Sequence, residues 1–166
     1  MKIKFGLIFL LLNLAVSAFA QSETPLGLDS GVSPHREIDD IYKKFNAVYK
    51  TLDVDGVADL YTETADYLPA GGKPLKGRAE IRQSFAGFFS SVKQRDSTMS
   101  ITFQINQREV TDKLGYDVGV YTLTTFENGR QLRQGRGRFV VVTKKTGKTW
   151  RFQLDAYSDL PAEKKP

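Results

Sequence analysis

The 166 residues contain no cysteine and a single histidine and carry a formal charge of +5 at pH 7. Disulfides, thiolate nucleophiles and cysteine-based metal sites are thereby excluded, and so small a charge is ordinary surface charge rather than the footprint of a nucleic-acid partner. A chain of about this length forms one domain whose core needs no metal to hold it.

In chain order, residues 1–20 read as an export signal: Lys2 and Lys4 precede the apolar run Phe5 to Val16, and Ala18-Phe19-Ala20 supplies a small-x-small cleavage site. Cleavage after Ala20 is expected, with the protein exported to the periplasm or the medium. No stable membrane insertion is expected, because no later stretch reaches the roughly 20 apolar residues that a bilayer requires. Residues 21–33 are rich in Ser, Thr, Pro, Gly and Asp without apolar periodicity, which predicts a flexible lead. The domain proper is expected over 34–161, with 162–166 as a tail.

Ile38, Ile41, Tyr42, Phe45, Val48, Tyr49 and Leu52 recur every three or four residues and predict a helix from about Pro34 to Leu52, capped by Ser33. Asp53 is expected to cap a second helix, Val54 to Tyr61. Thr64 to Leu68 reads as a strand, and Pro69 to Pro74 as a loop. Ile81, Phe85, Phe88, Phe89 and Val92 give a third helix over Gly77 to Val92 an aromatic face. The period then changes to two. Ile101 to Ile105, Tyr116 to Val120, Phe139 to Val142 and Trp150 to Leu154 predict four strands, joined by turns at Asp112 to Gly115, Asn128-Gly129 and Lys145 to Gly147. Asn128-Gly129 should pair Tyr116–Glu127 with Arg133–Lys144. Helices first and a meander afterwards predict an α+β fold, with three helices on one face of a curved, mainly antiparallel sheet.

Three stretches carry a resemblance: Leu60 to Pro69, Lys76 to Ile81, and Lys148 to Phe152 followed by Asp155-Ala156-Tyr157-Ser158-Asp159. Over about Ile38 to Pro161 the chain resembles the SnoaL-like branch of the nuclear transport factor 2-like superfamily. That resemblance implies a cone-shaped α+β barrel, a pocket between the long helix and the sheet, and a homodimer formed through the outer sheet face. It does not fix an activity, since the superfamily includes isomerases, cyclases, hydrolases, dehydratases and binders without catalysis. Its ketosteroid isomerases place a catalytic base just after the short strand, where this chain has Leu68 or Pro69, and an oxyanion-binding acid on a late strand, where it has Arg136, Gly137 and Arg138.

Asp155, Asp66 and Tyr157 are the remaining catalytic candidates. Asp155 lies among Trp150, Phe152, Leu154 and Tyr157, so it either faces a pocket with a raised pKa or faces water and pairs with Arg151 or Arg138. Tyr42, Tyr61, Tyr67 and Leu68 are candidate pocket residues from the first half of the domain. Phe85, Phe89, Tyr121, Phe139 and Trp150 are the candidates that follow. Arg136 and Arg138 alternate with Gly135 and Gly137: one set faces the cavity, and if it is the arginines they would contact an anion. The lone His35 has no partners with which to build a metal site, and no nucleotide or cofactor fingerprint occurs, so neither metal nor cofactor is expected. These features favour an exported binder of a small lipophilic molecule in an aromatic pocket. An isomerase, hydrolase or dehydratase using Asp155 or Asp66 with a tyrosine is the alternative, and a homo-oligomeric interaction module the third reading.

Overall fold

The computed structural model describes residues 24–161. The expected export signal and the tail at 162–166 lie outside the described residues. Four long or short strands and three helices alternate in the first half: β1 (Leu26–Leu28), α1 (Arg36–Thr51), α2 (Val54–Ala58), β2 (Tyr61–Leu68), β3 (Leu75–Lys76), α3 (Gly77–Lys93) and β4 (Ser97–Val110). Then come β5 (Leu114–Glu127), β6 (Arg130–Thr146) and β7 (Thr149–Asp159). All strands join one sheet in the order β1-β4-β5-β6-β7-β2-β3. It curves around the helices and stays open, ending at β1 and β3. The α+β architecture is therefore as the sequence predicts.

Helix α1 buries Ile38, Ile41, Tyr42, Phe45 and Tyr49 against the sheet. Its cap is His35 rather than Ser33, with the His35 ring nitrogen accepting from the Ile38 N–H. The imidazole is held there by edge-on packing against Trp150, ring centroids 5.3 Å apart. The helix ends with Leu52 in the left-handed region at φ 52°. That conformation costs roughly 1–2 kcal/mol for a residue with a Cβ, and burying a leucine returns roughly 1.5–3 kcal/mol. Leu52 is buried, so packing wins.

Asp53 caps α2 as expected, its carboxylate accepting from the Gly56 N–H at 2.9 Å. Asp53→Ala should cost about 1 kcal/mol in urea unfolding and Asp53→Asn much less; equal losses would show that the cap is not what holds the turn. Helix α2 stops at Ala58, three residues before the expected end. Tyr61 instead opens β2, because its carbonyl accepts from Arg78 at 3.0 and 2.6 Å and its backbone pairs with Phe152.

The expected flexible lead contains a strand. β1 pairs in parallel with β4, Leu26 opposite Phe103 and Leu28 opposite Ile105. Three residues give too little periodicity to be legible, and the strand exists because β4 offers an unpaired edge.

The Asn128-Gly129 hairpin forms as predicted. Both residues have positive φ, 50° and 73°, as a two-residue turn matching the sheet twist requires. Glu127 pairs with Arg130, and Tyr116 with Val142. Two irregularities matter for the site. Asn106 is passed over in the β4–β5 register and Gln153 in the β6–β7 register, so each inserts one extra residue into its strand. A one-residue insertion turns every later side chain to the opposite face.

Candidate functional site

A cavity of about 330 Å³ lies between the helices and the concave sheet face. Helix α1 supplies Tyr42, Phe45 and Tyr49, and α3 supplies Ser84, Phe85 and Phe88. The amphipathic spacing that buries these helices also aims their aromatic rings at one another: Phe45 and Phe85 stand 6.3 Å apart edge to face, and Tyr49 and Phe85 6.1 Å apart. The floor comes from Ile101 and Phe103 of β4, Tyr121 and Leu123 of β5, and Phe139 and Val141 of β6. Tyr67, Pro69 and Ala70 close one side, and Phe152, Asp155, Tyr157 and Asp159 of β7, the strand paired with β2, continue that wall.

Asp155 reaches this wall because of the insertion at Gln153. Strict alternation would put it opposite Phe152, on the water face. With Gln153 bulged, Phe152, Asp155 and Tyr157 all point inward. The Gln153 side chain ties the bulge to β2, accepting from the Thr62 hydroxyl at 3.0 Å and donating to the Thr64 carbonyl at 3.0 Å. Asp155 is 8% exposed. Its Oδ2 accepts a hydrogen bond from the Tyr61 hydroxyl at 2.6 Å. Burial pushes its carboxyl up to about 6, against the opposing effect of that hydrogen bond. Burial also raises the neighbouring hydroxyls of Tyr49, Tyr67 and Tyr157, which stay protonated donors at neutral pH. Asp155 is therefore the group at this wall that changes charge near neutrality.

Of the other candidates, Tyr42, Tyr67, Phe85, Tyr121, Phe139 and Tyr157 line the cavity. Tyr61 sits behind the wall, fully buried, and acts on the cavity through Asp155. Phe89 is buried in the core beneath Tyr49, ring centroids 5.3 Å apart, rather than at the cavity surface. Trp150 lies under the start of α1, its indole N–H donating to Glu37 at 3.2 Å. Leu68 and Asp66 do not line the cavity: Tyr67 takes the inward position on β2, and period two turns its neighbours away. Asp66 instead pairs with Lys76 at 3.6 Å on the exposed side.

The choice between glycines and arginines on β6 is decided for the glycines. Gly137 faces inward under the Tyr121 ring, which a Cβ there would overlap. This close approach lets Tyr121 cross the sheet and donate to Asp159 at 2.8 Å. Arg136 and Arg138 share the opposite, outer face; Arg136 borders a second hollow of about 360 Å³ there with Gln104 and Thr122. Neither arginine lines the cavity, so the anion contact that inward-facing arginines would have made is not available there.

A second polar cluster is absent from the sequence reading. Arg108 donates to both oxygens of Asp117 at 2.7 and 2.8 Å and to Asp39 at 2.5 Å. Tyr42 donates to Asp117 at 2.7 Å. The Arg108 and Asp117 side chains are each 2% exposed. Here the insertion at Asn106 does the turning: Ile101, Phe103 and Ile105 face inward at odd positions, and Arg108 faces inward beyond the bulge. On β5 the inward residues are Gly115, Asp117, Gly119, Tyr121 and Leu123, so the apolar alternation of Tyr116, Val118 and Val120 marks the outer face. The one signal for Asp117 in the sequence was an acid flanked by β-branched and aromatic residues. Asn46 adds a further buried contact, donating from α1 to the Ile101 carbonyl at 2.5 Å. Among the described residues no group of three or more His, Cys, Asp or Glu side chains converges as metal ligands do, and no helix is long and apolar enough to cross a membrane.

A domain profile described as SnoaL-like matches residues 38–163. The chain belongs to the SnoaL-like family. Solved structures similar to this SnoaL-like chain include a protein from Xanthomonas campestris named as a candidate calcium/calmodulin-dependent protein kinase II association domain. It is 25% identical, with 80% of this chain and 91% of that one covered at a TM-score of 0.61. A candidate dehydratase of the NTF2-like family from Streptomyces avermitilis is 14% identical, with 76% and 96% covered and a TM-score of 0.64. An NTF2-like protein with a cystatin-like fold from Novosphingobium aromaticivorans is 16% identical, with 77% and 82% covered and a TM-score of 0.62. No curated protein matches the chain. The SnoaL-like fold is thus shared with proteins of quite different designations, and the site must carry the functional argument.

Proposed function

We propose that this protein is an exported binder of a small lipophilic molecule, held in the aromatic cavity with Asp155 as its polar contact. The observation that carries the reading is the cavity itself: about 330 Å³, walled by tyrosine and phenylalanine, with one buried carboxylate at its edge. That volume lies at the lower end for small-molecule sites, and a mostly apolar lining with few polar groups is their usual chemistry. Export rests on Lys2, Lys4, the apolar run and Ala18-Phe19-Ala20. The mature protein then begins at Gln21 and resides in the periplasm or the medium. A homodimer through the outer sheet face fits the exposed Val140, beside Val118 and Val120 on that face.

Native mass spectrometry of protein purified gently from the envelope and medium fractions, followed by organic extraction, tests this directly. A stoichiometric small molecule on a chain starting at Gln21 is the expected result. Retention of residues 1–20 would overturn export, and a protein that stays empty and refuses a lipophilic library would overturn the binder.

A second reading is favoured by one observation, the Asp155 carboxyl held near 6 beside the Tyr157 hydroxyl. A base or acid poised near the working pH suits proton transfer on a bound substrate, as in an isomerase or dehydratase. With the extracted compound in hand, turnover that Asp155→Asn abolishes would establish it.

A further inference from the structure

The cavity lining is one-sided in charge. Among the described residues it contains two carboxylates, Asp155 and Asp159, and no lysine, arginine or histidine. The groups facing Asp155 from the elements around it are hydroxyls: Tyr42 and Tyr49 from α1, Tyr61 and Tyr67 from β2, Tyr121 from β5 and Tyr157 from β7. The residues that α3 and β6 contribute to the cavity, Ser84, Phe85, Phe88, Phe139 and Val141, do not titrate.

The carboxylate itself is half used. Oδ2 accepts from the Tyr61 hydroxyl, and among the described residues Oδ1 has no hydrogen-bond donor. Yet no sealed side-chain oxygen or nitrogen lacks a partner among the described residues, so Oδ1 opens onto the cavity. The rings beside it are close together, Tyr67 and Tyr157 at 5.8 Å and Tyr121 and Tyr157 at 5.7 Å between centroids.

Three ligand chemistries can be weighed against this wall. An anion would meet two carboxylates and no counter-charge. A neutral molecule would fill the apolar volume and leave a desolvated carboxylate without a counter-ion, which is costly. An organic cation answers both features, since an ammonium N–H makes a charge-assisted hydrogen bond to a carboxylate oxygen and a cation is attracted to the electron-rich faces of aromatic rings. We propose that the cavity takes a lipophilic organic cation, a protonated amine whose N–H donates to Asp155 Oδ1 while its hydrocarbon body lies among the aromatic side chains. This rests on the reading of the cavity as a small-molecule site. The raised carboxyl adds a direction: acidification through about 6 neutralises Asp155 and weakens the pair.

The test is calorimetric titration of the purified protein with three matched probes, 1-naphthylmethylamine, 1-naphthalenemethanol and 1-naphthoic acid, at about pH 7.5 and about pH 5. The arylmethylamine is somewhat less basic than the lysine side chain but still protonated at both. The expected result is that the amine binds at least about tenfold more tightly than the alcohol at the higher pH, a difference of ~1.4 kcal/mol, and that the acid does not bind. The preference should shrink at the lower pH and vanish in Asp155→Asn, whose Oδ1 can still accept from Tyr61. Equal binding of amine and alcohol overturns the cation assignment and leaves the cavity reading intact. Tightest binding of the acid overturns it too. If none of the three binds, both the assignment and the cavity reading fall. The wild-type ranking decides these outcomes even if the variant does not fold.

Discussion

Replacing Arg108 with methionine is expected to destabilise the protein by about 3–5 kcal/mol, the usual cost of removing one partner from a buried ion pair. The guanidinium holds both oxygens of Asp117 from β5 and one of Asp39 from α1. Without it two carboxylates remain in a site almost closed to water, with the Tyr42 hydroxyl still donating to Asp117. Their desolvation is then uncompensated, and each favours the unfolded state or protonation. The cluster joins α1 to the sheet, so the loss should appear in the global urea transition rather than as local fraying. Replacing Arg108, Asp117 and Asp39 together by apolar residues of similar size should recover much of the loss, because the destabilisation comes from orphaned charge rather than from missing attraction. A loss below about 1 kcal/mol for Arg108→Met would instead show that water reaches the carboxylates, as it does in surface pairs.

At neutral pH Asp155→Asn should raise stability by about 3 kcal/mol at most. The folded carboxyl is held at about 6 against an ordinary value of 3.8, and each pKa unit corresponds to about 1.4 kcal/mol. Between these two values the folded state binds more protons than the unfolded one, so the stability of the wild type falls as pH rises through that window. Below about 4 the group is protonated in both states and the penalty is absent; above about 6 it is fully present. The variant keeps an oxygen for the Tyr61 hydroxyl and carries no charge, so its advantage should grow from near zero at acid pH to its full value above neutrality. Thermal melts of both proteins across that range measure the difference directly. A constant difference, or one that grows toward acid, would mean that Asp155 is solvated or paired in the folded state. A stabilising substitution at a cavity wall is what a site maintained for binding rather than for packing produces.

The helices were legible because burial of an amphipathic stripe leaves a periodic record. Ile38, Ile41, Tyr42, Phe45 and Tyr49 mark α1, and Ile81, Phe85, Phe89 and Val92 mark α3. The Asn128-Gly129 hairpin was legible because few residue pairs tolerate two successive positive φ values. The three-residue β1 was not, because its pairing depends on an edge that β4 presents from more than 70 positions away in the chain, Leu26 opposite Phe103. The start of α1 was misplaced by two residues because the imidazole of His35 is a weaker capping signal than Ser33, and Trp150, distant in sequence, holds it in place.

Local periodicity and local backbone preference suffice for the α+β class, the aromatic character of the helix faces and the turns of the meander. Which side chains meet in the cavity follows instead from how distant strands pair. Alternation in a strand assigns faces as long as no residue is inserted, and the insertions at Asn106 and Gln153 reverse that assignment for Arg108 and Asp155. A bulge is set by the register between strands that are far apart in the chain, and by contacts such as those of Gln153 with Thr62 and Thr64. The cavity wall at Asp155 and the buried Arg108 cluster therefore each depend on a register shift that no stretch of the sequence records on its own.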